Sequence, residues 1–540
     1  MTDDSRYGLR CCRQGLFLFV LILTLVSLAP PSAHARGGET TFRLRGFAIE
    51  GNSVLTEEEL EKTLADFTGR RRTAEHVELA ADWLETYYHK QGYPTVIVSI
   101  PEQTVENGIV RLEVIERTIR RIKVTGNRYF TKEKILEELP SLNPGVVIYA
   151  PRVQEEISRI NINRNMRLVP EFLPSKDIRT IDVELNVEDE LPLHGSLELN
   201  NRASANTTDL RLNASISYDN LWQRDHSIAL QGQVTPEDAE EVRLIAASYT
   251  LPAPWGDSQM LAFYGIWSDS NTAFGDGFQV AGNGYIFGGR WIAPLPPAKT
   301  YYHSFTLGLD YKDFDETTEF AESGEETIES PIRYTALTFS YNGGLGDSLG
   351  RTTFSAVATM ALRGLGSDSE EFADKRFQSS ENLIYARLGI ERYQPLGESM
   401  DLFAKIDGQI SDDALISNEQ YLAGGMESVR GYYESEQAGD SALHTSIELR
   451  GPDLADALLD LAPDKLQFKP HVFFDYAKLW VNEALPEQED RIELSGTGVG
   501  FRGTALNHME YGLEWGFALS DTTRTDSGDQ RIHFRVKYFF

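Results

Sequence analysis

The chain closes on Arg531-Ile532-His533-Phe534-Arg535-Val536-Lys537-Tyr538-Phe539-Phe540. In an extended backbone successive side chains point to opposite faces, so Ile532, Phe534, Val536, Tyr538 and Phe540 share one face and His533, Arg535 and Lys537 the other. The apolar face needs a dry environment. A second packed sheet would supply it in a soluble sandwich, and lipid would supply it to a strand of a closed barrel.

The rest of the C-terminal sequence separates the two. Working back, alternation recurs at Met509–Ser520, Ser495–Phe501, Pro470–Lys478, Ala442–Arg450, Met400–Gln409, Leu383–Arg392, Thr353–Ala361, Ile332–Tyr341 and Tyr302–Tyr311. It continues through a run near Phe278–Trp291, then Met260–Trp267, Val242–Thr250, His226–Val234, Leu210–Tyr218 and Ser196–Asn201, which makes sixteen with the final strand. Each strand and its connection take about 22 residues, which suits membrane strands of ~9–11 residues. Short turns with Pro or Gly, at Pro252–Gly256, Pro294–Pro297, Asn342–Gly346 and Pro395–Gly397, alternate with longer polar loops such as Asp313–Ser330. No blade-length repeat supports a propeller. No stretch after Leu28 is long and apolar enough for a membrane helix, so a membrane span here is built from strands. A last strand ending on aromatic residues, here Tyr538 and Phe540, resembles the C-terminal signal of bacterial outer-membrane barrels.

The N-terminus fits export. Arg6, Arg10 and Arg13 precede an apolar run from Leu16 to Leu28, and Ala33-His34-Ala35 offers small residues for cleavage, so residues 1–35 read as a signal peptide. Cys11 and Cys12, the two cysteines of the 540-residue chain, lie inside it, so the mature chain carries no disulfide or cysteine metal site. The formal charge of −31 argues against a nucleic-acid partner, whose phosphates would be repelled.

Between signal and strands lies a repeat. Ile49-Glu50-Gly51-Asn52-Ser53-Val54-Leu55-Thr56 matches Val124-Thr125-Gly126-Asn127-Arg128-Tyr129-Phe130-Thr131, with the first glycines 75 residues apart. Each copy continues as two helices and two strands. In the first, a Thr56/Glu59 capping box opens a helix over Glu57–Asp66, followed by Thr73–Gln91 and strands Thr95–Ile100 and Ile109–Ile115. In the second, Lys132–Leu139 and Arg152–Asn161 read as helices, and Met166–Phe172 and Ile181–Val187 as strands. This β-α-α-β-β unit resembles the polypeptide-transport-associated (POTRA) domain. The fold expected is therefore mainly β: two α+β POTRA domains at 42–117 and 118–190, then a 16-stranded transmembrane β-barrel over 191–540.

One segment discriminates among barrels. Gln420-Tyr421-Leu422-Ala423-Gly424-Gly425-Met426-Glu427-Ser428-Val429-Arg430-Gly431-Tyr432 resembles the lumen loop of the outer-membrane protein translocation and insertion superfamily, carried by Gly424, Gly425, Val429, Arg430, Gly431 and Tyr432. An arginine folded into a lumen needs a carboxylate. Phe473-Phe474-Asp475-Tyr476-Ala477 is similar to the superfamily's aromatic-x-Asp-x-Gly strand motif, with Phe473 as its aromatic, and the resemblance implies that Asp475 meets that arginine. Ala477 departs from the usual glycine, which puts close packing there in question. Two further matches carry no chemistry. Gly346-Asp347-Ser348-Leu349 imitates a hydrolase nucleophile box but reads as a turn, and Gly498–Gly503 matches a phosphate-loop spacing without a helix after it. The ten histidines show no metal spacing, and the acidic loop Asp313–Glu329 reads as a solvated external loop.

Two POTRA-like copies, sixteen strands and the Val-Arg-Gly-Tyr loop together resemble the transporter component of two-partner secretion, the hemolysin secretion/activation family. Tyr218-Asp219-Asn220-Leu221 and Tyr249-Thr250-Leu251-Pro252 are also similar to that family. The resemblance implies a non-enzymatic pore in the outer membrane, with POTRA domains in the periplasm and no cofactor or metal. Its implied partners are an unfolded secreted exoprotein, outer-membrane lipid and lipopolysaccharide, and the barrel-assembly machinery during biogenesis. The cargo would dock on a POTRA sheet edge carrying Val96, Val98 and Ile100, expected to leave its backbone groups unpaired. About six residues between Ala35 and Phe42 are too few for the family's plug helix, so occlusion is expected to fall to the Arg430 loop. An insertase of the same superfamily, usually with more POTRA copies, and a passive porin are the competing readings.

Overall fold

The computed structural model describes residues 41–205, 207–256, 258–269, 283–315, 317–319, 327–397, 399–455 and 465–540. The expected signal peptide with its cysteines, and residues 36–40 after it, lie outside these residues. So do the start of the run near Phe278 and part of the acidic loop after Asp313. Two compact units emerge: one of residues up to Lys123 with Ser141–Glu156 and Pro170–Glu184, the other of Val124–Pro140, Ile157–Val169 and Leu185–Phe540.

The N-terminal elements are β1 (Phe42–Leu44), β2 (Gly46–Glu50), α1 (Glu57–Leu64), β3 (Gly69–Arg72), α2 (Ala74–Lys90), β4 (Val96–Ser99) and β5 (Ile109–Glu116). The Thr56/Glu59 capping box forms at α1, satisfying backbone donors that a helix start leaves open. On α2, Val77, Ala80, Ala81, Leu84 and Tyr88 fall on one face and pack on Val96, Val110, Leu112 and Val114. Helices between β2 and β5 allow these strands to run parallel, and β4 pairs antiparallel with β5 at the sheet edge.

The second repeat keeps the order: β6 (Thr118–Thr125), α3 (Lys132–Glu137), α4 (Ala150–Ile160), β7 (Met166–Pro174) and β8 (Thr180–Asp189), with sheet order β6-β8-β7. The two Gly-Asn turns are alike in detail. Gly51 and Gly126 both have φ of +87°, and a Cβ on either would collide with a strand carbonyl, of Val114 or Val187. In each copy a carboxylate at a strand end gathers the turn's amides. Glu116 accepts from Ser53 N–H (2.7 Å) and Val54 N–H (3.1 Å), and Asp189 from Tyr129 N–H (2.7 Å) and Phe130 N–H (2.9 Å). On β6, Arg120 donates twice to Asp182, at 2.8 and 2.6 Å, and these bonds hold the Asp182 carboxyl below its ordinary range.

Sixteen further strands close a barrel: β9 (Leu193–Asn200), β10 (Arg211–Leu221), β11 (His226–Val234), β12 (Arg243–Pro252), β13 (Met260–Asp269), β14 (Gly284–Pro294), β15 (Tyr301–Phe314) and β16 (Ile332–Asp347). Then come β17 (Gly350–Ala361), β18 (Ile384–Leu396), β19 (Met400–Ile410), β20 (Ser441–Arg450), β21 (Lys469–Trp480), β22 (Arg491–Ala505), β23 (Met509–Ala518) and β24 (Gln530–Phe539). Neighbours pair antiparallel throughout, and β24 returns to β9. On β24 the alternation is as expected: Ile532, Val536 and Tyr538 are exposed outward and His533 is buried inside. At the seam the Phe540 ring lies over Gly195, where a Cβ would come within 2.5 Å of it, and the two residues exchange backbone bonds of 3.1 and 3.0 Å.

Connections at the end where Leu193 begins are two to seven residues long, apart from 451–468, whereas those at the far end run from eight to thirty. One expected turn is wrong. Asn342–Gly346 lies inside β16, because Gly343 and Gly344 leave room for the rings of Phe354 and Tyr302, and the chain reverses instead at Asp347–Gly350. There Asp347 Oδ1 accepts from Leu349 N–H (2.8 Å) and Gly350 N–H (2.9 Å), the local bonding that suits Asp to turns.

Candidate functional site in the barrel lumen

The thirty-residue connection 411–440 folds into the barrel. Tyr421–Ala423 and Gln437–Gly439 pair as a ribbon at its base, and the chain turns at Gly424 (φ +107°), Gly425 (φ +103°) and Gly431 (φ +105°), a backbone region costly for other residues. Gly425 also leaves room for the Glu434 carboxylate, which accepts from Met426 N–H (2.9 Å) and Arg202 Nε (3.3 Å). The tip lies flat on the wall because the wall has no side chains there. A Cβ at Gly496 on β22 would strike the Arg430 carbonyl, and one at Gly516 on β23 would come within 2.6 Å of Gly431 N. Val429 and Tyr432 are fully buried, and the Tyr432 hydroxyl sits 2.8 Å from the Ser520 carbonyl and accepts from Ser520 N–H at 3.1 Å.

Arg430 is 3 % exposed and Asp475 0 %. Its Nε donates to Asp475 Oδ2 and an Nη to Oδ1, both at 2.7 Å, and its backbone N–H also reaches Oδ2 at 3.1 Å. The fork geometry of guanidinium matches a carboxylate in this way and fixes orientation as well as charge. The pair is not isolated. The other Nη donates to Glu448 on β20 (2.7 Å) and Glu514 on β23 (3.4 Å), and the Phe473 ring lies 3.6 Å from the guanidinium. Arg502 bonds Glu448 (3.0 Å) and Glu514 (2.9 Å), Arg450 bonds Glu448 (2.7 Å), and His533 on β24 accepts from Gly431 N–H (3.2 Å). Glu448, His471 and Glu514 have ligating atoms within 4.8 Å of one another, but both carboxylates already serve arginines, which is a charge network rather than an open metal seat.

The loop motif and its strand partner thus meet, and sequence reasoning missed Glu448, Glu514, Arg502 and Ser446, whose hydroxyl donates to Asp475 at 2.7 Å. Alternation carried a signal for them: Ser446 and Glu448 share the lumen row of β20, and Glu514 the lumen row of β23. Ala477 is fully buried among Tyr421, Ala423, Val429 and Tyr432, so its methyl group is accommodated where a glycine was expected.

A second connection shares the barrel interior with the Arg430 loop, to which occlusion is expected to fall. The connection 362–383 also enters the far half of the lumen through α5 (Ser369–Lys375). Phe372 is fully buried against Tyr334, Ile332, Leu415 and Ile416, and Arg376 binds Asp440 through both carboxylate oxygens and reaches the Asn482 carbonyl at 3.0 Å. Nearby, Glu419 is buried with Lys312 (2.5 Å), Tyr334 (2.5 Å) and Tyr385 (2.6 Å).

The expected docking edge stands at the border of its sheet but is not open. Val96 is buried, Val98 is half-buried and Ile100 is 39 % exposed. His89 Nε2 lies 3.0 Å from the Val96 carbonyl, and Val98 N–H donates to Glu85 at 3.0 Å. Two edge groups expected to be unpaired are therefore met by side chains of α2.

Comparison with known proteins places this geometry. The family model described as haemolysin secretion/activation protein ShlB/FhaC/HecB matches residues 180–503, and that of the POTRA domain, ShlB-type, matches 42–116. The outer membrane transporter CdiB of Dickeya dadantii (strain 3937) is 22% identical over 76% of this chain and 72% of its own length. The heme/hemopexin transporter protein HuxB of Haemophilus influenzae is 18% identical over 83% and 78%. The solved structure of CdiB from Escherichia coli superposes with a TM-score of 0.63 at 19% identity, covering 94% of this chain and 92% of its own. BamA from Haemophilus ducreyi lacking POTRA domains 1–3 gives 0.55 at 14%, covering 92% and 100%. These two superpositions establish a shared fold.

Proposed function

The chain belongs to the haemolysin secretion/activation family, and from that premise we propose that it exports one unfolded exoprotein through its own lumen to the cell surface. The family places the barrel in the outer membrane and the POTRA region in the periplasm, and it implies a secreted protein partner. The observation that carries the proposal is the loop carrying Arg430, anchored by Asp475 inside a closed barrel, in a chain that also carries a POTRA domain. A passive porin has no use for a receptor domain.

Several finer readings belong to the same proposal. Residues 1–35 are removed on export, 42–117 and 118–190 are two POTRA domains, and 191–540 form the barrel. The repeated Gly-Asn turn with its gathered carboxylate supports the second copy. The edge with Val96, Val98 and Ile100 receives an extended cargo segment by strand addition. The loop residues Gly424 to Tyr432, with Phe473, Asp475 and Ala477, hold the pore in its transport-competent form, and Tyr538 and Phe540 direct assembly by the barrel-assembly machinery into lipid and lipopolysaccharide. The chain performs no catalysis, so transport is driven by the cargo, which folds outside.

The test is deletion in the native host, followed by surface and outer-membrane proteomics. Loss of one large exoprotein from the surface, with other barrels unchanged, is the expected result. A general fall in barrel proteins with exoprotein export intact would instead identify an insertase.

A further inference from the structure

The edge of β4 is protected by side chains that imitate a strand. Residues 96 and 98 turn their N–H and C=O groups away from β5. Val96 N–H is taken by the Tyr93 carbonyl (3.3 Å), Val96 C=O by His89 and Val98 N–H by Glu85, which leaves the Val98 carbonyl open among the described residues. A bare edge is a template for any extended chain, and capping it blunts that hazard. A side-chain cap differs from a covering strand in one respect: it can rotate away without unfolding anything.

We infer that Glu85 and His89 are displaceable caps on this edge, and that the segment displacing them carries lysine or arginine on its side facing α2. The inference deepens, and rests on, the reading of β4 as the receptor edge. An incoming strand that accepts from Val98 N–H and donates to the Val96 carbonyl replaces both capping bonds one for one. What remains unsettled is the displaced Glu85 carboxylate. It returns to a stripe of α2 that also carries Glu78 and Asp82, both exposed, at spacings that put the three acids on one flank of the helix. Like charges there resist an acidic or neutral strand, and a cation on the incomer relieves all three. Val98 and Ile100 form the apolar floor for its other residues.

The test uses the full-length protein in detergent and three fluorescein-labelled twelve-residue peptides of alternating valine and threonine. In them two valines are replaced by lysine, by glutamine or by glutamate, and binding is read by anisotropy. The lysine peptide should bind at least roughly tenfold more tightly than the glutamate peptide at low salt, and the gap should close as salt screens it. Glu85→Ala should tighten the glutamine peptide about three- to tenfold, since one capping bond no longer has to be displaced, and should narrow the lysine preference. In the same variant Val98 amide exchange should quicken while β5 stays protected. Val98→Pro should abolish binding of all three, because that N–H faces the edge and not the β5 ladder. If Val98→Pro abolishes binding but peptide charge and Glu85→Ala change nothing, the cap inference is overturned and the receptor edge stands. If no peptide binds the wild-type protein, or if Val98→Pro leaves binding intact, the receptor reading falls and the inference with it.

Discussion

Replacing Arg430 by alanine tests how the loop is held, and the network dictates an unusual double-mutant result. Three guanidinium groups, Arg430, Arg450 and Arg502, face three carboxylates, Glu448, Asp475 and Glu514. Arg430→Ala leaves Asp475, fully buried, with the Ser446 hydroxyl (2.7 Å) and the backbone N–H of residue 430, and leaves the cluster one negative charge in excess. Breaking a buried pair in this way costs about 3–5 kcal/mol. Asp475→Ala is milder, at about 3 kcal/mol, because Arg430 keeps Glu448 and Glu514. The double variant restores two charges against two. It should therefore be no less stable than Arg430→Ala alone, a coupling of about 3 kcal/mol or more. Arg430→Lys should resemble alanine more than wild type, since an ammonium cannot span both Asp475 oxygens. The assay is guanidinium unfolding of purified barrel in detergent, paired with cargo secretion from cells. Singles that simply add in the double would refute the network, and a stable Arg430→Ala barrel that still secretes would remove the loop from the mechanism.

Other contacts dictate outcomes of their own. Arg376→Ala combined with Phe372→Ser removes the second strap across the lumen, so conductance in planar bilayers should rise while the folded barrel is retained on unheated gels; unchanged conductance would return occlusion to the 424–434 segment alone. Gly195→Leu should drive the Phe540 ring off the seam and lower the temperature at which the barrel unfolds, whereas an unshifted temperature would show that closure does not depend on that contact. Asp182 has a carboxyl held below its unfolded value by Arg120, so it stabilises the folded state above about pH 4 and loses that contribution as pH falls through the folded value. The difference in melting temperature between wild type and Asp182→Asn, followed in the periplasmic region, should accordingly shrink on acidification; a gap that widens would reverse the assignment.

Much of this architecture was legible because the membrane leaves strands one way to be written. Every barrel strand had to alternate, so all sixteen could be located, but their ends were read short where alternation fades, as at Ser495–Phe501 inside Arg491–Ala505, and a turn was misplaced where glycine stands in for one without making it, at Gly343 and Gly344. The repeat was visible through Gly51 and Gly126, whose conformation admits no other residue. The carboxylates Glu116 and Asp189, which complete those turns, were not, because a contact across some sixty residues leaves no local pattern. The same distinction runs through the lumen. Arg430 and Asp475 could be paired from their motifs, but the slot made by Gly496 and Gly516 and the second pair of acids depend on which strands neighbour β21, a matter of barrel order. β4 departs from its expected open edge for a different physical reason. An edge strand beside an amphipathic helix suggested free backbone groups, yet the helix positions facing that edge are Glu85 and His89, which are polar and long enough to reach it. Helical periodicity marks the apolar face of α2 and says nothing of what its polar face bonds. Its polar face caps β4 through Glu85 and His89, and an edge strand with no covering neighbour gains from such a guard against pairing with other chains.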